Sequence, residues 1–211
     1  MLVNFASICT SSNRITHVLY HLAEHPEYLA PLREEIKGII HENVWTKAVM
    51  SKTWKRDSFF RESPRFNGTS LVSLTRKDIR DVTLQDGMEI PRGTLVVAAA
   101  YPTHHDERVY VNAQAFEPFR LSRLREKQGE GTRHQFVNTS VDYLPFGHGK
   151  HECPGRFFAA NEHKAMLAYI VLYYDLKLPD DAPPPKNNCW DSNVIPAING
   201  KVMSRKGQPA M

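Results

Sequence analysis

The most chemically loaded stretch of this sequence is Phe146-Gly147-His148-Gly149-Lys150-His151-Glu152-Cys153-Pro154-Gly155. Gly147 and Gly149 allow backbone to pass close to a flat ligand. Cys153 stands directly before a predicted helix that opens at Pro154. A helix start presents unpaired N–H groups and the positive end of the dipole, and both stabilise a thiolate. Gly155 and Arg156 are placed to aim backbone N–H groups at the sulfur and tune its donation to a metal. The residues alone leave three readings open: an inert buried cysteine, a zinc ligand beside His148 and His151, or a thiolate ligand of iron. The spacing lacks the paired cysteines or histidines that zinc sites use.

Other residues could also do chemistry. Glu62 and Arg65 form an i, i+3 pair, which on a surface is worth only about 0.2–0.5 kcal/mol. Thr10 and Ser11 follow Cys9 on a helix, where a hydroxyl either back-bonds to a carbonyl or handles protons.

These residues need elements to position them. The pattern predicts a helix over about 4–24, with Ile8, Ile15, Val18, Leu19 and Leu22 on its apolar side. A second helix runs to about Glu42 with Pro26 in its first turn, followed by a short helical piece at Thr46–Met50 and a third helix from about Lys52 to Phe66. Strands are expected at Leu71–Leu74, Asp81–Leu84 and Thr94–Ala100, the last one buried, with turns at Gln85-Asp86-Gly87 and Pro91-Arg92-Gly93. Residues 101–152 read as a long irregular segment, and so long a loop in a compact domain usually has a function. The strongest helix covers 156–174, and Pro179 and Pro183-Pro184-Pro185 stop it. A terminal hairpin over Val194–Val202 is expected to turn at Asn199-Gly200.

Composition narrows the classes. The chain has 211 residues, 41% of them hydrophobic and 24% charged, which suits one large or two small globular domains. Its net charge of +4 is spread among acidic residues, so no patch suits nucleic acid. Three widely separated cysteines disfavour a disulfide framework and fit a reducing compartment. The apolar run Ala168–Tyr174 falls far short of the ~20 residues that span a bilayer. The first residues show no signal-peptide pattern.

The cysteine segment resembles the cysteine loop of the cytochrome P-450 family, F-x-x-G-x-(R/H)-x-C-x-G, with Phe146, Gly149, His151, Cys153 and Gly155 in register. Further matches follow the family's order. Ala6–Ser11 resembles the oxygen-activating stretch of the long central helix, Glu62-Ser63-Pro64-Arg65 its E-x-x-R, and Phe116-Glu117-Pro118-Phe119-Arg120 its F-x-P-x-R.

The resemblance covers essentially the entire chain, in a form similar to fungal members acting on terpenoid-like secondary metabolites. It implies a mainly α fold with small β-sheets (α+β). Residues 1–211 would be the C-terminal part of a single domain, beginning inside the oxygen-binding helix. It implies haem b with Cys153 as axial iron ligand, and Phe146, Gly147, Gly149, His151, Gly155 and Arg76 around the cofactor. Glu62, Arg65 and Arg120 become a buried structural triad bracing the cysteine loop, and Thr10, with Ser11, becomes catalytic. Ser70, Leu71 and Val72, with Val194 and Ile195, become substrate contacts. His104 and His105 read as ordinary loop residues.

The implied activity is insertion of one oxygen atom from O2 into a lipophilic small molecule, with electrons from NADPH through a flavoprotein reductase. A full-length relative would sit on the cytoplasmic face of the endoplasmic reticulum membrane through an N-terminal anchor that this chain lacks. Without an anchor the chain itself would be cytoplasmic. Two departures stand out: Cys9 replaces the family's acidic residue, and Pro64 falls inside a helix, where proline costs about 3 kcal/mol in an interior position. The competing reading is a truncated, inactive remnant with residual haem affinity. In either case the partial first helix is expected to expose a face that is normally covered.

Overall fold

The computed structural model describes residues 2–42, 53–126, 128–180 and 182–207. Helix α1 (Leu2–Glu24) leads through a 3-10 turn at Pro26–Tyr28 into α2 (Leu29–Glu42). The break falls where expected, because the residue before a proline is pushed out of helical conformation, and His25 has φ −128° and ψ 72°. Leu29, Leu32 and Ile36 give α2 a buried stripe at helical spacing. The helical piece expected at 46–50 lies outside the described residues.

Helix α3 (Trp54–Phe66) is rich in charge yet buried along almost its full length. Its start is satisfied from α2: the Lys55 and Arg56 amides donate to the Glu35 carboxylate at 2.7 and 3.0 Å. Such a carboxylate meets both the orphan N–H groups and the positive helix end. Pro64 falls in the last turn, and α3 continues through it to Phe66.

Helices α1, α2 and α3 pack with α6 (Arg156–Tyr173) around a core that includes Val18, Leu22, Leu32, Phe59, Phe60, Phe136, Leu167 and Val171. The irregular segment holds two short helices, α4 (Ala100–His104) and α5 (Arg120–Arg125), with α5 lying against α3.

The strands form two-stranded antiparallel sheets. β1 (Ser73–Lys77) pairs with β4 (Leu95–Ala98), and β2 (Val82–Thr83) with β3 (Glu89–Ile90). β5 (Tyr174–Lys177) pairs with β8 (Met203–Lys206), and β6 (Asn188–Trp190) with β7 (Asn193–Ile195).

Two expectations change. β4 is not buried: Leu95 and Val97 face outward. The terminal hairpin turns at Asp191-Ser192, not at Asn199-Gly200, while the last strand crosses back to pair with β5. Asn199-Gly200 is a turn of a different kind. A Cβ on Gly200 would collide with the Tyr20 hydroxyl, which donates to Ala197 O at 2.8 Å. The turn is therefore docked on α1.

Ile8 on α1 and Phe157, Phe158, Met166 and Tyr169 on α6 are exposed. No described helix is long and apolar enough to cross a membrane.

Candidate functional site

Cys153 is a half-buried free thiol packed against the core. Its amide donates to Phe146 O at 2.8 Å, which closes the intervening segment into a loop. Gly147 and Gly149 have φ +71° and +75°, a left-handed conformation that side chains strain. A Cβ on Gly149 would meet nothing within 4 Å, so this turn faces open space. At Gly147 a Cβ would lie 3.6 Å from Leu74 of β1, and Ser73 Oγ donates to Leu144 O at 3.3 Å. The start of β1 thus lies over the loop.

Gly155 caps α6, which begins at Arg156, where the expected 156–174 helix starts, and not already at Pro154. The Arg156 amide and guanidinium donate to Cys153 O, at 3.4 and 2.9 Å, and not to the sulfur. A Cβ on Gly155 would lie 3.9 Å from Cys153 Sγ, so glycine keeps that side of the sulfur clear.

The zinc reading fails on geometry. Thr139 engages His148 Nδ1 at 2.9 Å and donates to Glu152 at 2.7 Å, while His151 is exposed in the 3-10 turn Gly149–His151. Among the described residues no three His, Cys, Asp or Glu side chains gather as metal ligands.

Thr10 is exposed on α1 and donates to Ser7 O at 3.5 Å. Arg14 lies one turn along the same face. It is buried with its guanidinium 4.0 Å above the Phe146 ring, and donates to Pro145 O at 2.7 Å. The face carrying Thr10 therefore runs onto the cysteine loop. Ser11 points elsewhere, into a groove with Ile8, Ile15, Phe158 and Met166.

The charged triad is real and dry. Arg65 Nε and Nη2 reach the two Glu62 oxygens at 2.8 and 2.7 Å, and Arg120 Nε reaches Oε1 at 3.3 Å. The remaining guanidinium N–H groups take carbonyls of 104–115: His104, Ala113 and Ala115 from Arg65, Val111, Asn112 and Ala115 from Arg120.

His104 carries the brace to the cysteine loop. Its carbonyl accepts from Arg65, and its Nε2 accepts the Leu144 amide at 3.0 Å. It is therefore no ordinary loop residue: burial, with help from Arg65, lowers its pKa to about 4. Arg61 adds a second hold, donating to Gln135 O and Asn138 O and stacking 3.8 Å over Tyr143. The i, i+4 spacing of Arg61 and Arg65 was visible in the sequence; the role of His104 had no local signal.

The expected substrate segments come together. Ser70 Oγ and the Leu71 amide both donate to Ser192 O, Val194 N donates to Thr69 O, and Val72 N donates to Ser70 Oγ. Asn13 of α1 donates to Val194 O at 2.9 Å. Val194 is buried and Ile195 exposed. Arg76 is not drawn in: it is exposed on β1 and donates to its neighbour Thr75 O.

A family profile described as "Cytochrome P450" matches residues 1–203. The chain belongs to the cytochrome P450 family. It is 54% identical over 205 residues to cytochrome P450 monooxygenase 71 of Postia placenta, covering 97% of this chain and 41% of that one. To a cytochrome P450 monooxygenase of Ganoderma lucidum it is 46% identical, covering 98% of this chain and 40% of that one. Its backbone is similar to a crystal structure of a cytochrome P450 heme domain, with TM-score 0.74 and 23% identity, over 95% of this chain and 41% of the other. The chain thus spans about 41% of the length of the first of these relatives, and its fold is the C-terminal portion of the P450 fold.

The residues fit the haem that the P450 family implies. A macrocycle that brings its own iron needs one soft axial ligand rather than a cluster, and Cys153 offers one. Gly149 opens the turn, Leu74 and Phe146 supply apolar surface, and Arg14 brings buried cationic N–H groups without partners toward the same loop.

Proposed function

We propose that this chain carries the haem-thiolate half of a monooxygenase that oxidises a lipophilic small molecule, of terpenoid-like class, with O2. The observation that carries the reading is Cys153, a free thiol held by Phe146 O at the end of a glycine-opened loop. Bound there, haem supplies the activation of O2 and the transfer of one oxygen atom.

The chain's own residues supply position and protons. Cys153 Sγ is the iron ligand. Phe146, Gly147, Gly149, His151 and Gly155 shape its loop, with Arg76 as a candidate anchor for a propionate. Thr10 Oγ1 stands on the face of α1 that leads to the loop, and is the group placed to hand on a proton. Its neighbour Cys9, exposed, is a weak relay beside the carboxylate usual in the family, so proton delivery would rest on Thr10 and water, with Ser11, turned toward the Phe158 groove, less well placed. Ser70–Val72 and Val194–Ile195, joined through Ser192 and Thr69, form one wall for substrate. Electrons come from NADPH through a flavoprotein reductase. A full-length relative would sit on the cytoplasmic face of the endoplasmic reticulum membrane.

The test is the ferrous–CO spectrum of the chain expressed with haem. A red-shifted thiolate Soret band is expected, short-lived because of the exposed α1–α6 face. Cys153→Ala should abolish it while leaving the far-ultraviolet circular dichroism unchanged. A thiolate-type band that survives Cys153→Ala overturns the assignment.

A further inference from the structure

Arg14 is a buried cation, with 6% of its surface exposed, and it is incompletely paired. Nη2 donates to Pro145 O, while Nε and Nη1 have no partner. A buried cation with idle donors is costly unless an anion faces it. Its surroundings narrow the choice. Phe146 lies flat under the guanidinium at 4.0 Å, and the Phe136 centroid is 5.6 Å away. Among the described residues no carboxylate bonds to it; burial lowers its pKa, and the groups whose negative forms oppose that are Tyr143 and Cys153. Burial keeps Tyr143 a neutral phenol well above its ordinary range. Cys153, whose amide is held by the carbonyl of that same Phe146, is the remaining group.

We propose that Arg14 is a positioning residue for the Cys153 ligand, holding its loop through Pro145 and Phe146 and presenting a buried positive charge to the thiolate. The mechanical link is short. The guanidinium fixes the Pro145 carbonyl and the Phe146 ring, and the Phe146 carbonyl receives the Cys153 amide. The electrostatic consequence is that a cation beside the sulfur draws electron density from it. It thereby weakens donation to iron and favours the reduced state of the bound centre. Thr10 stands one helical turn away on the same face, so a single stretch of α1 would set both the proton side and the thiolate side.

The inference rests on the haem-thiolate reading, and its test separates the two. The chain is compared with R14M, which keeps volume and loses charge, and R14K, which keeps charge and loses the guanidinium fork. Without haem, R14M should speed hydrogen exchange of the Phe146–Cys153 loop about tenfold, as loss of a charged hydrogen bond implies. Exchange in α3 should stay unchanged. With haem, R14M should move the midpoint potential to more negative values and convert part of the ferrous–CO band to the non-thiolate form. R14K should keep the potential near that of the parent while its loop still exchanges faster.

Unchanged loop exchange in R14M overturns the positioning role, and an unchanged potential overturns the charge role. If the parent chain takes up no haem, the function assigned above fails for this chain, while the exchange comparison still decides the positioning.

Discussion

Arg65 on α3 and Arg14 on α1 are both buried arginines, and their hydrogen bonds differ. Arg65 uses Nε, Nη1 and Nη2, reaching Glu62 and the carbonyls of His104, Ala113 and Ala115. Arg14 uses Nη2 alone and stacks on an aromatic ring. A saturated buried network has no capacity left for a ligand and can only hold structure. An unsaturated one is a liability that folds keep where something else completes it. The contrast separates the brace from the site without reference to sequence motifs.

Acid should break the comparison most strongly. Burial lowers the pKa of His17 and His163 to about 4 and of His21 to about 3 on the α1–α6 side, and that of His104 to about 4 on the brace side. The ordinary value is 6.5, so between it and about 4 the unfolded chain binds more protons. Stability is then complete above pH 6.5 and is lost as pH falls toward 4. Hydrogen exchange followed from pH 7 to 4 should show α1 and α6 loosening before α3. Earlier opening of α3 would mean that the brace is the weaker region.

Glu62→Ala comes next, because it leaves Arg65 and Arg120 buried without their carboxylate. A loss of about 3–5 kcal/mol is expected in urea unfolding; under 1 kcal/mol would show that the carbonyls alone satisfy both arginines.

Arg61→Ala removes two charged hydrogen bonds to Gln135 and Asn138 and the stack on Tyr143. About 2 kcal/mol is expected, with faster exchange across 135–143 as the distinguishing readout.

Arg76→Ala should be the mildest, within about 0.5 kcal/mol, because the side chain is exposed. If Arg76 anchors a propionate, haem should dissociate faster at an unchanged melting temperature. Unchanged dissociation removes it from the site.

The cysteine loop was legible because it is local: Phe146, Gly149, His151, Cys153 and Gly155 stand in one short stretch whose glycines and cysteine carry their own conformational and chemical demands. The long helices were legible to within a few residues for the same reason, since their apolar spacing and prolines act over one or two turns, whereas the short α4 and α5 were not. The burial of α3 was not. Only the family resemblance pointed to burial, and only at Glu62 and Arg65; nothing local marks Arg56, Asp57 and Arg61, and partners brought from Lys164, Arg125, His104 and Arg120 make the interior tolerable for the set. The last strand was misplaced because β5, its partner, lies far away in sequence, and strand pairing is invisible to local pattern.

The sequence by itself determined the cysteine loop, the glycines within it and the order of the long helices, because each follows from residue type and short spacing. Only the tertiary structure decided which polar groups are saturated and which are not. His104 became a link between brace and loop, and Arg14 became a half-paired cation at the cysteine. The physical reason is that hydrogen-bond satisfaction inside a protein depends on groups that chain order keeps far apart, as with Arg14 and Pro145, and that burial then sets what an unsatisfied group costs.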